Sequence, residues 1–185
     1  HIFIDSFRKG MKENAECILS LDKAWHISIH DTSFSREILK AKQHFEHMVE
    51  AIITVKKNVP PSVFTFQLRP FFDPYSISGR SLLAPGGAQM PVIIIDNILW
   101  GSDSIEPLYT KYLTENISYS PKSYKDFLST HSGRNGLIGK VQKQYLQRPE
   151  NTISINSIAS LIEFMNSLLQ FRHVHLKVAL DNFKL

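Results

Sequence analysis

Between Arg36 and Lys57 the apolar residues Ile38, Ala41, Phe45, Met48, Val49, Ile52 and Val55 recur at spacings of three and four. Such a stripe occupies one face of an α-helix and would be scattered over both faces of a strand. A helix patterned this way must bury its stripe against something. Pro60-Pro61 stops it, because the residue before a proline is pushed out of helical geometry. Phe3 to Leu21 repeats the pattern more weakly, and residues 22 to 35 read as a connection.

The rest of the chain also reads helical. A helix is predicted from Ser62 through Phe66 and onward, disturbed by Pro70 and Pro74. Ser76 to Ala88, with Gly79, Pro85, Gly86 and Gly87, reads as a loop. Met90 to Trp100 is continuously apolar and suits a strand or a buried helix. Helix is preferred because no partner strand is visible. Ser102-Asp-Ser104 offers N-caps with Glu106 in the first turn, ahead of a helix faced by Leu108, Tyr112, Leu113 and Ile117. Ser120-Pro121 opens a helix through Leu128. Ser129 to Lys140 reads as a glycine-punctuated segment. Asn156 or Ser157 caps a final long helix reaching Phe183. The expected fold class is all-α, a helical bundle.

Composition narrows the function classes. At 185 residues the chain can bury one real core, so a single domain over residues 1–185 is expected. One cysteine, Cys17, excludes a disulfide scaffold. The longest apolar run, beginning Pro91-Val-Ile-Ile-Ile, is cut by Asp96 and does not reach a membrane span. The formal charge of +4 is spread out, with Lys56-Lys57 and Lys140 to Lys143 as the nearest clusters. A nucleic-acid binder shows a denser basic stripe, so these lysines read as solvated surface and no nucleic-acid partner is expected. Asp5, Arg8 and Lys9 argue against an export signal, which with the low cysteine content suggests the cytoplasm. The start at His1 reads as a processed, trimmed or partial chain.

Candidate chemistry sits in a few places. Gly133-Arg-Asn-Gly136-Leu-Ile-Gly139-Lys140 resembles a phosphate loop but has the wrong spacing and Val141 where Ser or Thr is needed. Flexible glycines at a junction explain it better. His44 and His47 are three apart on a helix, which could place two imidazoles on one metal, with Glu46 and Glu50 near. A structural zinc needs two further ligands, so half-buried surface histidines are the expected reading. His26 and His30 carry a similar low signal. His131 beside Ser132 is no triad by adjacency. On the last helix His175 shares a face with Leu168, Phe171, Val178 and Ala179. A histidine there is usually a satisfied core residue, yet a neutral imidazole aimed into an apolar cavity also suits an axial haem ligand. His173 lies on another flank and period alone does not exclude it. Arg69, set among Phe64, Phe66, Leu68, Phe71 and Phe72, needs a paired guanidinium. A local acid such as Asp73 would serve, or a ligand carboxylate.

Together these segments resemble the indoleamine/tryptophan 2,3-dioxygenase superfamily of haem enzymes over roughly residues 36 to 183. Pro61-Ser-Val-Phe64-Thr-Phe-Gln-Leu-Arg69 looks like the family segment whose arginine binds the substrate carboxylate. Ala84-Pro-Gly-Gly-Ala-Gln89 is similar to its small-residue loop over the haem pocket. Tyr119-Ser-Pro121 with Phe127-Leu128 matches a helix opening. Arg172-His-Val-His175-Leu176 looks like the segment supplying the proximal histidine, with His175 rather than His173 in register. Leu68-Arg-Pro-Phe-Phe72 and His131-Ser-Gly-Arg-Asn-Gly136 look more like the bacterial branch containing monodechloroaminopyrrolnitrin synthase, which rearranges a chlorinated tryptophan.

The resemblance implies a bundle of the indoleamine 2,3-dioxygenase large-domain type around haem b. It implies a haem-dependent oxygenase acting with O2 on tryptophan or a related aromatic amino acid, the alternatives being a rearrangement of a chlorotryptophan and a haem-binding module without turnover. His175 would hold the iron and Arg69 would clamp the carboxylate. Phe64 and Phe66 would pack on the ring, and Gly86, Gly87 and Ala88 would admit substrate and haem edge. Little of the family's upstream, distal part precedes the match. A C-terminal, haem-ligating part is therefore expected, associating with a missing N-terminal part or forming a homodimer.

Overall fold

The computed structural model describes residues 2–71, 73, 75–82, 92–101, 106–149 and 151–183. The bundle is built on a helical hairpin. Helix α1 (Ile2–His26) and helix α2 (Thr32–Asn58) are joined by residues 27–31. They run antiparallel, since Gly10 faces Met48 and Ala51 while Glu13 faces His44 and His47. The connection is shorter than the predicted 22 to 35. Asp31 caps α2 by accepting from the Ser33 amide at 2.8 Å, so the helix starts four residues before its apolar stripe does.

After Pro60 a short helix α3 (Pro61–Val63) changes pitch. It becomes a π-helical turn over Phe64–Leu68 and a 3-10 turn over Arg69–Phe71. Pro70 has no amide to donate and its ring would strike the carbonyl four residues back, so a regular helix cannot pass through it. Part of the expected loop is instead a hairpin: β1 (Tyr75–Ile77) pairs antiparallel with β2 (Arg80–Leu82), turned at Ser78 and Gly79, both at positive φ.

Helix α4 (Val92–Trp100) follows, as preferred from its sequence. Helix α5 (Pro107–Tyr119) is capped by Glu106 itself, whose carboxylate accepts from the Tyr109 amide. Residues 102–105, the expected caps, lie outside the described residues. Helix α6 (Lys122–Thr130) is followed by helix α7 (Leu137–Gln147), which the glycine content had concealed. Helix α8 (Thr152–Phe183) begins before the expected caps. Asn151 accepts from the amides of Ile153 and Ser154 at 2.9 and 3.2 Å, while Ser157 is buried and donates to the Ile29 carbonyl at 2.8 Å.

Helices α2 and α8 run parallel, as the ladder Lys42–Glu163, Glu46–Ser167 and Lys56–Asp181 shows. Their shared core is aromatic. Phe45 is fully buried, with the rings of Phe164 and Phe171 each 5.6 Å away. Leu21, Ile38, Ile95 and Leu137 extend this core to α1, α4 and α7. Among the described residues no helix is long and apolar enough to cross a membrane.

Lys140 of α7 closes the end of α1. Its ammonium donates to the carbonyls of Trp25 and Ile27 (2.5 Å), and more distantly (3.4 Å) to that of Ala24, which already accepts from the Ile27 amide at 3.1 Å. Burial pushes this lysine down, to about 8. Between that value and the ordinary 10.5 the unfolded chain binds more protons than the native one, so this group's contribution to stability rises with pH across the window. Lys140→Met is expected to cost about 1–2 kcal/mol at neutral pH, where the carbonyls of Trp25 and Ile27 lose their donor. Urea unfolding at stepped pH should show the gap from wild type widening as pH rises above about 8. A gap that narrows would contradict the buried ammonium.

Candidate functional site

A cavity of about 600 Å³ opens between α1, α2, α4, α5 and the C-terminal half of α8. That volume suits a cofactor or an aromatic metabolite. Its wall is apolar: Phe7 of α1, Met48 and Val55 of α2, Ile93 of α4 and Phe171 and Val178 of α8. Gly10 belongs to the wall too, where α1 comes close to α2.

Polar side chains interrupt this wall: Ser6 and Tyr112, and the chemically more telling Asp96, Tyr109, Arg172 and His175. Asp96 is buried, although it lies in the apolar helix α4. It accepts from Arg172 at 2.6 Å and from the Tyr109 hydroxyl at 3.3 Å. Burial pushes the Asp96 carboxyl up, opposed by the Arg172 guanidinium and by the hydrogen bonds from Arg172 and Tyr109. The Tyr109 phenol is pushed up by burial and by the neighbouring carboxylate. Arg172 keeps about half of its side chain exposed, so it remains reachable while paired.

His175 lies one turn beyond Arg172 on α8. Its ring stacks on Phe171, centroids 5.7 Å apart and planes 19° from parallel. Among the described residues neither ring nitrogen has a hydrogen-bond partner. The residue keeps an exposed edge, and the desolvation of its cavity-facing side pulls its basicity below the ordinary histidine value, which favours the neutral imidazole. An unpartnered neutral imidazole facing an apolar cavity is chemically a metal ligand in waiting. His173, two residues earlier and likewise exposed, does not line the cavity.

The other sequence-predicted residues divide. Phe64 is half-buried, lines the cavity and meets Phe3 edge-on at 6.0 Å. Phe66 points away and is 68% exposed. Arg69 lies on the 3-10 turn, does not line the cavity and stands 3.7 Å from Asp73. Gly86, Gly87 and Ala88 lie outside the described residues. His44 and His47 converge on Glu13 of α1, away from the cavity lining. His131 is held structurally, its Nε2 2.6 Å from Asp22 and its Nδ1 donating to the Phe127 carbonyl at 2.7 Å.

Sequence reading missed Asp96, Tyr109 and Arg172. A carboxylate inside the run Val92 to Leu99 was a signal, because a buried acid demands a partner. Arg172, three residues before His175, was the matching cation. The arrangement offers one neutral nitrogen ligand, a paired charge beside it and an apolar enclosure. Residues 1–180 match the family model described as monodechloroaminopyrrolnitrin synthase PrnB. The match runs through every helix that lines the cavity, and the chain belongs to the monodechloroaminopyrrolnitrin synthase PrnB family.

Proposed function

We propose that this chain supplies the haem-ligating part of an enzyme that uses O2 to oxidise tryptophan or a related indole amino acid. His175 is the protein ligand of the iron in haem b. The observation that carries this reading is the His175 imidazole itself, at the wall of a 600 Å³ largely apolar cavity and with no hydrogen-bond partner among the described residues. Bound haem would supply dioxygen binding and the redox chemistry.

The chain's own residues would orient and enclose. Arg172 is paired with Asp96, and a second cation would complete the clamp on a substrate carboxylate. Arg69 takes that role, carried on the 3-10 turn that follows Phe64 of the cavity wall, with a guanidinium fork suited to a carboxylate. Phe64 offers an aromatic face within the cavity, Phe66 an exposed ring on the same π-turn, and Gly86, Gly87 and Ala88 allow close approach of the substrate.

The test is turnover by haem-loaded protein with O2 and either L-tryptophan or a chlorinated tryptophan, read by product mass. A product carrying two added oxygen atoms marks ring-opening dioxygenation. A product with a rearranged skeleton marks the chemistry for which the family is named. No consumption of either substrate by the full-length, haem-loaded gene product with a full Soret band would sink the enzymatic reading and leave a haem-binding module.

A further inference from the structure

Glu13 reaches across from α1 to two histidines of α2. The Nδ1 of His44 lies 2.8 Å from its Oε2, and that of His47 lies 3.3 Å from the same oxygen. All three ligand atoms fall within 4.8 Å of one another. The histidines are three apart on one helix, so they share a face. The antiparallel partner brings the carboxylate to the same level, one turn past Gly10, where the two helices approach closely.

We propose that Glu13, His44 and His47 form a zinc-type transition-metal site that clamps α1 to α2, separate from the cavity that holds His175. Four-coordinate zinc with bonds of about 2.05 Å places neighbouring ligand atoms roughly 3.3 Å apart. The His47–Glu13 separation already has that value, and the His44–Glu13 pair need open by only about half an ångström. Two imidazoles and one carboxylate are a borderline-soft donor set suited to zinc rather than to calcium or magnesium. Glu13 and His44 are about one-fifth exposed, which leaves room for water in the remaining position. On binding, the nitrogens give up their Nδ1 protons, so the hydrogen bonds are replaced by coordination rather than added to it.

The site is tested with haem-free protein, using Co2+ as the spectroscopic probe and Zn2+ as competitor. One Co2+ per chain is expected, with the visible absorption of a low-coordinate site that Zn2+ then abolishes. Glu13→Gln, His44→Ala and His47→Ala should each weaken binding at least about tenfold. His175→Ala and His26→Ala should leave it unchanged. Zn2+ should also raise the melting temperature of the wild type, since an ion that binds only the folded state stabilises it by mass action. A featureless Co2+ spectrum with no thermal shift would overturn the site. So would undiminished binding by the Glu13 and His44 variants, or loss of binding in His175→Ala.

Discussion

His175→Ala is expected to remove the imidazole-ligated Soret spectrum from haem-loaded protein while leaving the helical fold in place. The side chain sits at the cavity wall and makes no hydrogen bond among the described residues. Its packing is a single stacked contact with Phe171, worth about 1 kcal/mol. Truncation therefore deletes a ligand nitrogen and little of the core, and the melting temperature should move by only a few degrees. Haem affinity should fall by more than the roughly 10–100-fold that loss of a ligand's supporting partner costs. His173→Ala is the matched control, because that side chain is exposed and outside the lining. Added imidazole should enter the space left in His175→Ala and restore the band. An unchanged spectrum in His175→Ala, or its loss in His173→Ala, would move the ligand elsewhere.

The contrast between those two histidines shows how far a single sequence reaches. Helical period placed His175 with Phe171 and Val178, and the three do share the cavity wall. Period works here because α2 and α8 each bury one stripe, and burial is what the period records. It says nothing about which helices meet. Asp96 and Arg172 are 76 positions apart, and their 2.6 Å contact depends on how the fold sets α4 and α8 around one cavity. Glu13 was likewise invisible as the third partner of His44 and His47, because only the antiparallel hairpin brings it to their level. Local rules failed where a short polar side chain outweighed the apolar pattern. Asp31 and Asn151 each start a helix ahead of its stripe. At Phe64 the reverse holds. Pro70 forbids a regular helix, yet the backbone keeps turning by widening into a π-turn rather than stopping.

Gly136→Ala is expected to destabilise the fold by about 3 kcal/mol, and Gly139→Ala is not, although both glycines belong to one glycine-punctuated segment. The backbone of Gly136 lies directly against the end of α4. A Cβ there would fall closer than 3.0 Å to the carbonyl carbon of Trp100, the carbonyl oxygen of Leu99 and the amide nitrogen of Gly101. These are backbone atoms and cannot swing aside as a side chain could. Gly101 faces it at φ +77°, where a β-carbon is disfavoured, and Gly101 also forms an isolated bridge with Asn135. Two chain segments thus touch backbone to backbone, and only glycine lets them do so. Relief requires moving α4 away from α7, whose first residue, Leu137, is fully buried. That movement carries Asp96 with it and loosens the Arg172 pair beside His175. The melting temperature should therefore drop by about 6–12 °C, with weakened haem binding in the same variant. Gly139 lies inside α7 with nothing within 4 Å of a built β-carbon. Alanine there should be neutral or stabilise by about 0.5–1 kcal/mol, because it restricts the unfolded chain. Paired thermal melts of the two variants decide the point. Equal melting temperatures would mean that the approach of Gly136 to the Trp100–Gly101 backbone is not what joins α4 to α7.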